Sequence, residues 1–491
     1  MIANPKKLRP YDEPPRRRRG LVPGSPGSAA IGFLVFAALW FALAGGIGLL
    51  AVGLRIFPNV SFSLPLIGDA KVQVDAERAQ LAFLNAIVYG WLTNAGIAAI
   101  FFVTARLTGR RLFMERMAIL GLLLLNLAVL GGIAWIYIAK LPAVTGLSVF
   151  PLPLTGAMLL GVLIAAGAFI GTEGDPTRGS RYISGWYFGI ALLALLGVLA
   201  ANVGLGVVDL PEKTELLASV FLERALEGYW LLGVALGTLY YVIPRETDNP
   251  LYSTGLALLG WAAWLLFAGA SGLASLVDPS VPYLVTTLGV VASLLMLAPA
   301  FIVVANLLLT VRGRWGLLLS AGPLPFAIVS LAFLMATALL QGIGALRSVQ
   351  VLVDQTEWIA GAFIYATLGA YSLAMLSFAE YALPRLLRRE WDGGLLSAAE
   401  LWTAFAGAAI AGLALMGAGL AQGSLFTQSA PADQIDATLL PFRMAAAGGL
   451  GLWAIAGLAL LGSMFLMYTS ARPASYAVPQ AQPILPAATE A

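Results

Sequence analysis

Hydrophobic and polar residues alternate along this chain in long blocks rather than at short periods. Twelve stretches, approximately 29–56, 79–107, 117–139, 150–171, 182–208, 216–243, 251–277, 283–311, 317–345, 357–383, 398–420 and 440–468, are almost continuously apolar. Most exceed the ~20 residues that a helix needs to cross a ~30 Å hydrocarbon layer. Turn residues such as Pro244, Asp278-Pro279 and Gly393-Gly394 separate them. The pattern predicts an all-α integral membrane protein, a bundle of twelve transmembrane helices over 29–470. Two polar tails, 1–28 with its run Arg16 to Arg19 and the Pro- and Ala-rich 471–491, read as disordered. The basic start runs into the first apolar block without a convincing cleavage site, so that block reads as an anchor.

Composition sharpens the picture. Of 491 residues 60% are hydrophobic and 11% charged, against about 25% charged in soluble chains. Twenty of the 28 Lys and Arg fall on one side if the N-terminus is cytoplasmic. The positive-inside rule then puts both termini in the cytoplasm and the chain in the cell's inner membrane. Histidine and cysteine are both absent. That excludes disulfides, thiolate and imidazole metal sites, and Ser-His or Cys-His nucleophiles. The lipid bilayer is the expected partner, and no nucleic-acid partner is expected.

Polar groups inside the apolar blocks are few: Asn85, Asn94, Asn126, Asn202, Asn306, Gln341 and Glu380. The asparagines read as glue between helices, and Glu380, four residues before Pro384, as a group near the cytoplasmic interface. No continuous file of carboxylates, as a proton relay would want, is visible, and the spans read as unbroken. The tryptophans read mostly as interface anchors. Gly448-Gly-Leu-Gly451 lies inside an apolar block and reads as packing, not as a phosphate loop.

Several stretches carry a resemblance. They are Arg78-Ala-Gln-Leu-Ala-Phe-Leu-Asn-Ala86, Arg181-Tyr-Ile-Ser-Gly-Trp-Tyr-Phe188, Tyr240-Tyr-Val-Ile-Pro-Arg-Glu-Thr-Asp-Asn-Pro-Leu-Tyr-Ser253, the stretch from Leu288-Gly289 to Leu297-Ala-Pro299, Gly361 to Gly369, and Gly419-Leu-Ala-Gln-Gly423. In this order and on these helices the chain resembles the catalytic subunit (subunit I) of haem-copper oxidases, in the cytochrome cbb3-type and nitric oxide reductase branch. The resemblance implies that family's twelve-helix fold, its membrane subunits as partners, and six histidine ligands. Those ligand positions fall on Phe83 (low-spin haem, second helix), Arg224 (copper, sixth helix), Ser271 and Gly272 (copper, seventh helix), and Ala362 and Ile364 (haems, tenth helix). The family's active-site tyrosine falls near Met335. None of the six can hold iron or copper as haem or imidazole sites do. The expectation is therefore a fold without cofactors: no haem, no copper and no catalytic residue.

Two details remain open. Matching Glu227-Gly-Tyr-Trp230 to the nitric oxide reductase pattern shifts the copper position from Arg224 to Glu223. Glu223, Arg224 and Glu227 form a candidate intramembrane ion cluster, with Arg224 and Glu227 at i, i+3; alternatively these charges snorkel to the outer surface. Phe83 is expected to fill part of one haem slot. The small residues Gly269, Ala270, Ser271, Gly272 and Ala274 are expected to admit neighbouring backbones, leaving collapsed or lipid-filled sites. Functionally the leading expectation is a non-catalytic structural or assembly subunit of a membrane respiratory complex. A transporter or channel reusing the bundle is the alternative, and an oxidase with unfamiliar ligands the third.

Overall fold

The computed structural model describes residues 25–65, 71–139, 150–174, 182–208, 210–276, 280–319, 322–389 and 394–469. Most of both tails, Arg181, Asp278-Pro279 and Gly393 lie outside these residues.

Twelve helices among the described residues are long and apolar enough to cross a membrane. They are α1 (Ser28–Ile56), α2 (Ala76–Thr108), α3 (Glu115–Ile138), α4 (Leu152–Glu173), α5 (Ile183–Leu205), α6 (Glu212–Thr247), α7 (Thr254–Ser275), α8 (Tyr283–Thr310), α9 (Pro323–Ala345), α10 (Glu357–Leu387), α11 (Gly394–Thr427) and α12 (Ala432–Thr469). The chain is a multi-pass membrane protein, and each apolar block of the sequence corresponds to one of these helices. The helices often extend beyond the blocks. Polar residues at their ends join the last turns, as in α12, which begins eight residues before the apolar run at 440. A small antiparallel hairpin, β1 (Phe62–Pro65) with β2 (Lys71–Val74), stands between α1 and α2. A short helix, Arg347–Val353, precedes α10.

Burial separates the helices into a centre and a rim. The central apolar stretch of α2 is entirely buried and those of α6 and α10 largely so, while in those of α5, α7 and α8 fewer than half of the residues are buried. The exposed surface of those outer helices is apolar, with Leu193, Leu266 and Phe301 each at least 66% exposed. Apolar surface is tolerated there because the surrounding solvent is hydrocarbon.

The three central helices are not regular. Each carries a π-helical turn: Ala86–Leu92 in α2, Leu226–Leu231 in α6 and Tyr365–Tyr371 in α10. α8 is also interrupted, at Met296, three residues before Pro299. The expectation of unbroken spans is corrected here: wide turns keep the helical path and the apolar composition, so hydropathy does not register them. A π turn leaves carbonyls short of their usual donors. Thr93 Oγ1 donates to Val88 O at 2.8 Å and Ser372 Oγ to Thr367 O at 2.6 Å. The same hydroxyls accept from tryptophans on neighbouring helices: Trp230 Nε1 to Thr93 Oγ1 at 3.1 Å, and Trp91 Nε1 to Ser372 Oγ at 2.8 Å. Thus α6 is tied to α2, and α2 to α10, at their π turns.

The tryptophan expectation also needs correction. Trp40, Trp91, Trp230, Trp264 and Trp453 are core residues. Several have indole N–H groups that find acceptors deep in the bundle, so burial leaves them satisfied; Trp40 donates to Asn126 Oδ1 at 2.8 Å and Trp264 to Gly228 O at 2.9 Å. Three of the asparagines act as glue, whereas Asn85 donates to Leu81 O on its own helix: Asn94 and Asn126 exchange hydrogen bonds at 2.9 and 3.2 Å between α2 and α3. Asn306 likewise exchanges bonds with the Ser253 backbone at the start of α7. Gly449 behaves as a packing residue: a Cβ there would meet the Gly407 carbonyl of α11 at 2.9 Å.

Candidate functional site

At the end of the bundle where α1 finishes and α2 begins, charged side chains from five long helices converge. α6 starts outside the apolar layer with Glu212 and enters it near Ser219. Glu223 and Arg224 stand just before the π turn of α6, and Glu227 is its second residue. Glu227 is 5% exposed, and both carboxylate oxygens are engaged. Oε2 accepts from Arg224 Nη1 at 3.1 Å, and Oε1 from Gln341 Nε2 of α9 at 2.9 Å. Arg224 Nε also donates to Ser275 Oγ on α7 at 3.1 Å. The Arg224 side chain is 33% exposed. Arg224 thus keeps partial contact with solvent while its partner sits inside the bundle.

Beside this group lies a second ionic assembly. Glu357, the first residue of α10, is 7% exposed. Its Oε1 accepts from Arg443 of α12 (Nη2 at 2.8 Å, Nε at 2.9 Å) and from Arg55 of α1 at 3.4 Å. Arg443 also pairs with Asp436 at 3.0 Å, and Arg55 donates to Gln80 of α2. The Glu357 backbone N–H donates to Gln422 Oε1 of α11 at 2.9 Å. Glu357 Oε2 is buried and has no hydrogen-bond partner among the described residues. Apolar patterning by itself singles out none of Glu357, Arg55 and Arg443. The available signal was a charge at the margin of an apolar block, which in a membrane protein marks either an interface or a paired internal group.

The two assemblies flank one cavity of about 700 Å³. Its polar side includes Arg55, Gln80, Glu223, Arg224, Glu227, Glu357, Gln422 and Arg443, and its apolar side Phe83, Leu84, Ile359, Phe363, Ile364 and Leu450. The cavity is partly open rather than sealed. A second, small cavity of about 30 Å³ lies deeper, among α6 to α10, lined by Trp264, Met296, Thr337 and Tyr371 among others. It has room for only one or two waters.

Of the sequence-predicted positions, Phe83, Ile364, Glu223, Arg224 and Glu227 come together around the large cavity. Gly272 joins them indirectly: a Cβ there would lie 2.9 Å from Arg224 Cβ. Ser271 instead donates its hydroxyl to Ala268 O on its own helix at 2.8 Å. Ala362 is half-buried and lines neither cavity. Phe83 is buried with its ring against Gly48, where a Cβ would meet it at 2.6 Å. The expectation that small residues on α7 admit a neighbouring backbone is corrected at two places. Tyr229 occupies the space beside Gly269, and the Arg224 stem that beside Gly272.

Phe83, Arg224 and Ile364 each stand one to three residues before a π turn. Wide turns of this kind are frequent at functional sites, and here they aim three helices at one space. The donor chemistry of that space does not suit haem or copper. Haem iron is held by His, Cys, Met or Tyr, and none of these lines the large cavity. Met296 and Tyr371 line the small one, which is far below the ~300–1,000 Å³ of ordinary ligand sites. No group of three His, Cys, Asp or Glu suited to a metal ion occurs among the described residues.

A second set of buried carboxylates lies towards the opposite end of α10. Glu380 is 3% exposed and Glu400 of α11 fully buried. The Glu380 carboxyl bonds Ser397 and lies near Glu246 and Glu400, whose two oxygens have no partner among the described residues. Glu380 is therefore packed inside the bundle, seven residues before the end of α10. The carboxylate grouping that the sequence did not reveal is assembled from α6, α10 and α11.

Sequence comparison places the chain among known proteins. The profile of the family described as "Cytochrome C and Quinol oxidase polypeptide I" matches residues 28–451. The Cbb3-type cytochrome c oxidase subunit CcoN1 of Stutzerimonas stutzeri is 23% identical over 417 residues, covering 80% of this chain and 83% of that protein. Cytochrome c oxidase subunit 1 of Rhodobacter capsulatus is 24% identical over 323 residues, 61% of this chain and 59% of its own length. A cytochrome c oxidase subunit 1 homolog of Azorhizobium caulinodans is 25% identical over 451 residues, 87% of this chain and 78% of its own. With helix number, helix order and an almost full-length match in agreement, the chain belongs to the cytochrome c and quinol oxidase polypeptide I family.

Proposed function

We propose that this chain is a cofactor-free relative of cytochrome c oxidase subunit I that serves as a structural or assembly subunit of a membrane respiratory complex. The observation that carries this reading is chemical. A chain with no histidine and no cysteine surrounds its main cavity with residues that do not serve as axial ligands of haem iron. Phe83, Arg224, Ser271, Gly272, Ala362 and Ile364 stand where the resemblance implies ligands, so no catalytic residue is assigned. What such a chain retains is a bundle whose lipid-facing helices can pack against other membrane subunits. In this reading it resides in the cell's inner membrane with both termini in the cytoplasm.

The test is the purified chain itself. A pyridine haemochrome spectrum and metal analysis are expected to find neither haem nor copper at stoichiometric level. Affinity purification from native membranes is expected to bring down other oxidase subunits. A stoichiometric b-type haem would overturn the reading. A transporter or channel is the second reading, favoured by the polar-rimmed cavity and the irregular turns of three central helices. Solute or ion flux into vesicles containing the chain alone would establish it in place of the first.

A further inference from the structure

The 700 Å³ cavity lies within the size range of small-molecule sites, ~300–1,000 Å³, and its two sides differ in chemistry. Towards the bundle interior it presents Phe83, Leu84, Phe363 and Leu450; towards the end of the bundle it presents charge. That charge is mixed. Three guanidiniums (Arg55, Arg224, Arg443) stand against four carboxylates (Glu77, Glu223, Glu227, Glu357). Such a lining suits a head carrying both signs better than a simple anion. One buried acceptor is also unmet: Glu357 takes two arginines on Oε1, while Oε2 has no donor among the described residues. Buried carboxylate oxygens are normally hydrogen-bonded, and only an N–H or O–H can supply the bond.

We propose that this cavity is a lipid site that holds an aminophospholipid, with the primary ammonium donating to Glu357, the phosphate facing Arg55 and Arg443, and acyl chain against the apolar wall. The site goes beyond the structural role proposed above and rests on the cofactor-free reading, because a haem would compete for the same space. Glu357 joins α10 to α1 and α12 through its arginines, so an occupant paired with its carboxylate braces a junction of three helices.

The experiment needs no mutation in its first arm. The full chain is purified in detergent, delipidated by exchange, and titrated in native mass spectrometry with phosphatidylethanolamine, phosphatidylcholine and phosphatidylglycerol of equal chain length. Phosphatidylcholine has a trimethylated ammonium and no N–H, so a charge-assisted hydrogen bond should favour phosphatidylethanolamine about tenfold. Equal binding of the first two, stronger binding of phosphatidylglycerol, or no binding overturns the proposal. In the second arm, Ala360→Trp places an indole in the cavity and is expected to abolish the preference while the chain stays monodisperse. Retention of the preference would move the lipid elsewhere and overturn the assignment. Extracted lipid from the untreated sample is expected to be enriched in phosphatidylethanolamine; an isoprenoid quinone at stoichiometric level instead would also overturn it. An absorbance spectrum of the same sample separates the two readings. Haem there sinks the cofactor-free reading, whereas absence of both haem and lipid preference sinks the lipid site alone.

Discussion

Glu227 accepts from Arg224, one turn away on its own helix, and from Gln341 on α9. Its charge is therefore balanced from two directions and neither oxygen is left bare. Losing one member of a buried pair strands the other, at about 3–5 kcal/mol. Because a third of the Arg224 side chain is exposed, the lower end of that range applies. Arg224→Met is expected to cost about 3 kcal/mol, and Arg224→Met with Glu227→Gln to recover part of the loss, since the amide no longer carries an uncompensated charge. Thermal denaturation in detergent reads both. An unchanged melting temperature in Arg224→Met and in Glu227→Gln would show that the pair contributes nothing and that the charges behave as interfacial ones.

At the level of elements, the π turns of α2, α6 and α10 are joined by indole-to-hydroxyl bonds. Thr93 has two roles: it donates to the Val88 carbonyl and accepts from Trp230. Thr93→Val keeps the shape but removes both bonds and leaves the Trp230 N–H buried without an acceptor, which costs about 1–3 kcal/mol. Ser372→Ala does the same to Trp91. The two sites share α2, so the double variant is expected to lose less than the sum of the singles, as coupled positions do. Melting temperatures of the two singles and the double form the cycle. Strict additivity would mean that the two junctions act separately.

At the scale of the whole molecule, an even number of spans would put both termini on one side, and the distribution of Arg and Lys predicts the cytoplasmic one. The chain's lack of cysteine makes the test clean. Cysteines placed at Ser61, between α1 and α2, and at Ser429, between α11 and α12, occupy exposed positions at the same end of the bundle. Both are expected to react with an impermeant maleimide in intact cells. A cysteine at Arg111, between α2 and α3, is expected to react only after permeabilisation. The reverse pattern would invert the orientation and place the large cavity on the cytoplasmic side.

The helix number and order, the membrane setting and the lack of histidine and cysteine ligands follow from the amino-acid sequence alone. Long apolar blocks have one stable form in hydrocarbon, where a backbone must satisfy its own hydrogen bonds, and a residue type absent from the chain cannot be supplied by folding. The Arg224–Glu227 pair was legible for a related reason, because i, i+3 neighbours share a helix face whatever surrounds them. The rest depended on residues far apart in the chain. Arg55, Glu357 and Arg443 form one assembly only because the end of α1 meets the first turns of α10 and the early part of α12. Glu380 and Glu400 meet only across α10 and α11. The core tryptophans were misread as interfacial because hydropathy cannot say whether a helix lies at the centre or the rim. Packing decides that, and with it which polar groups are paired, which are left without a donor, and where a cavity opens between them.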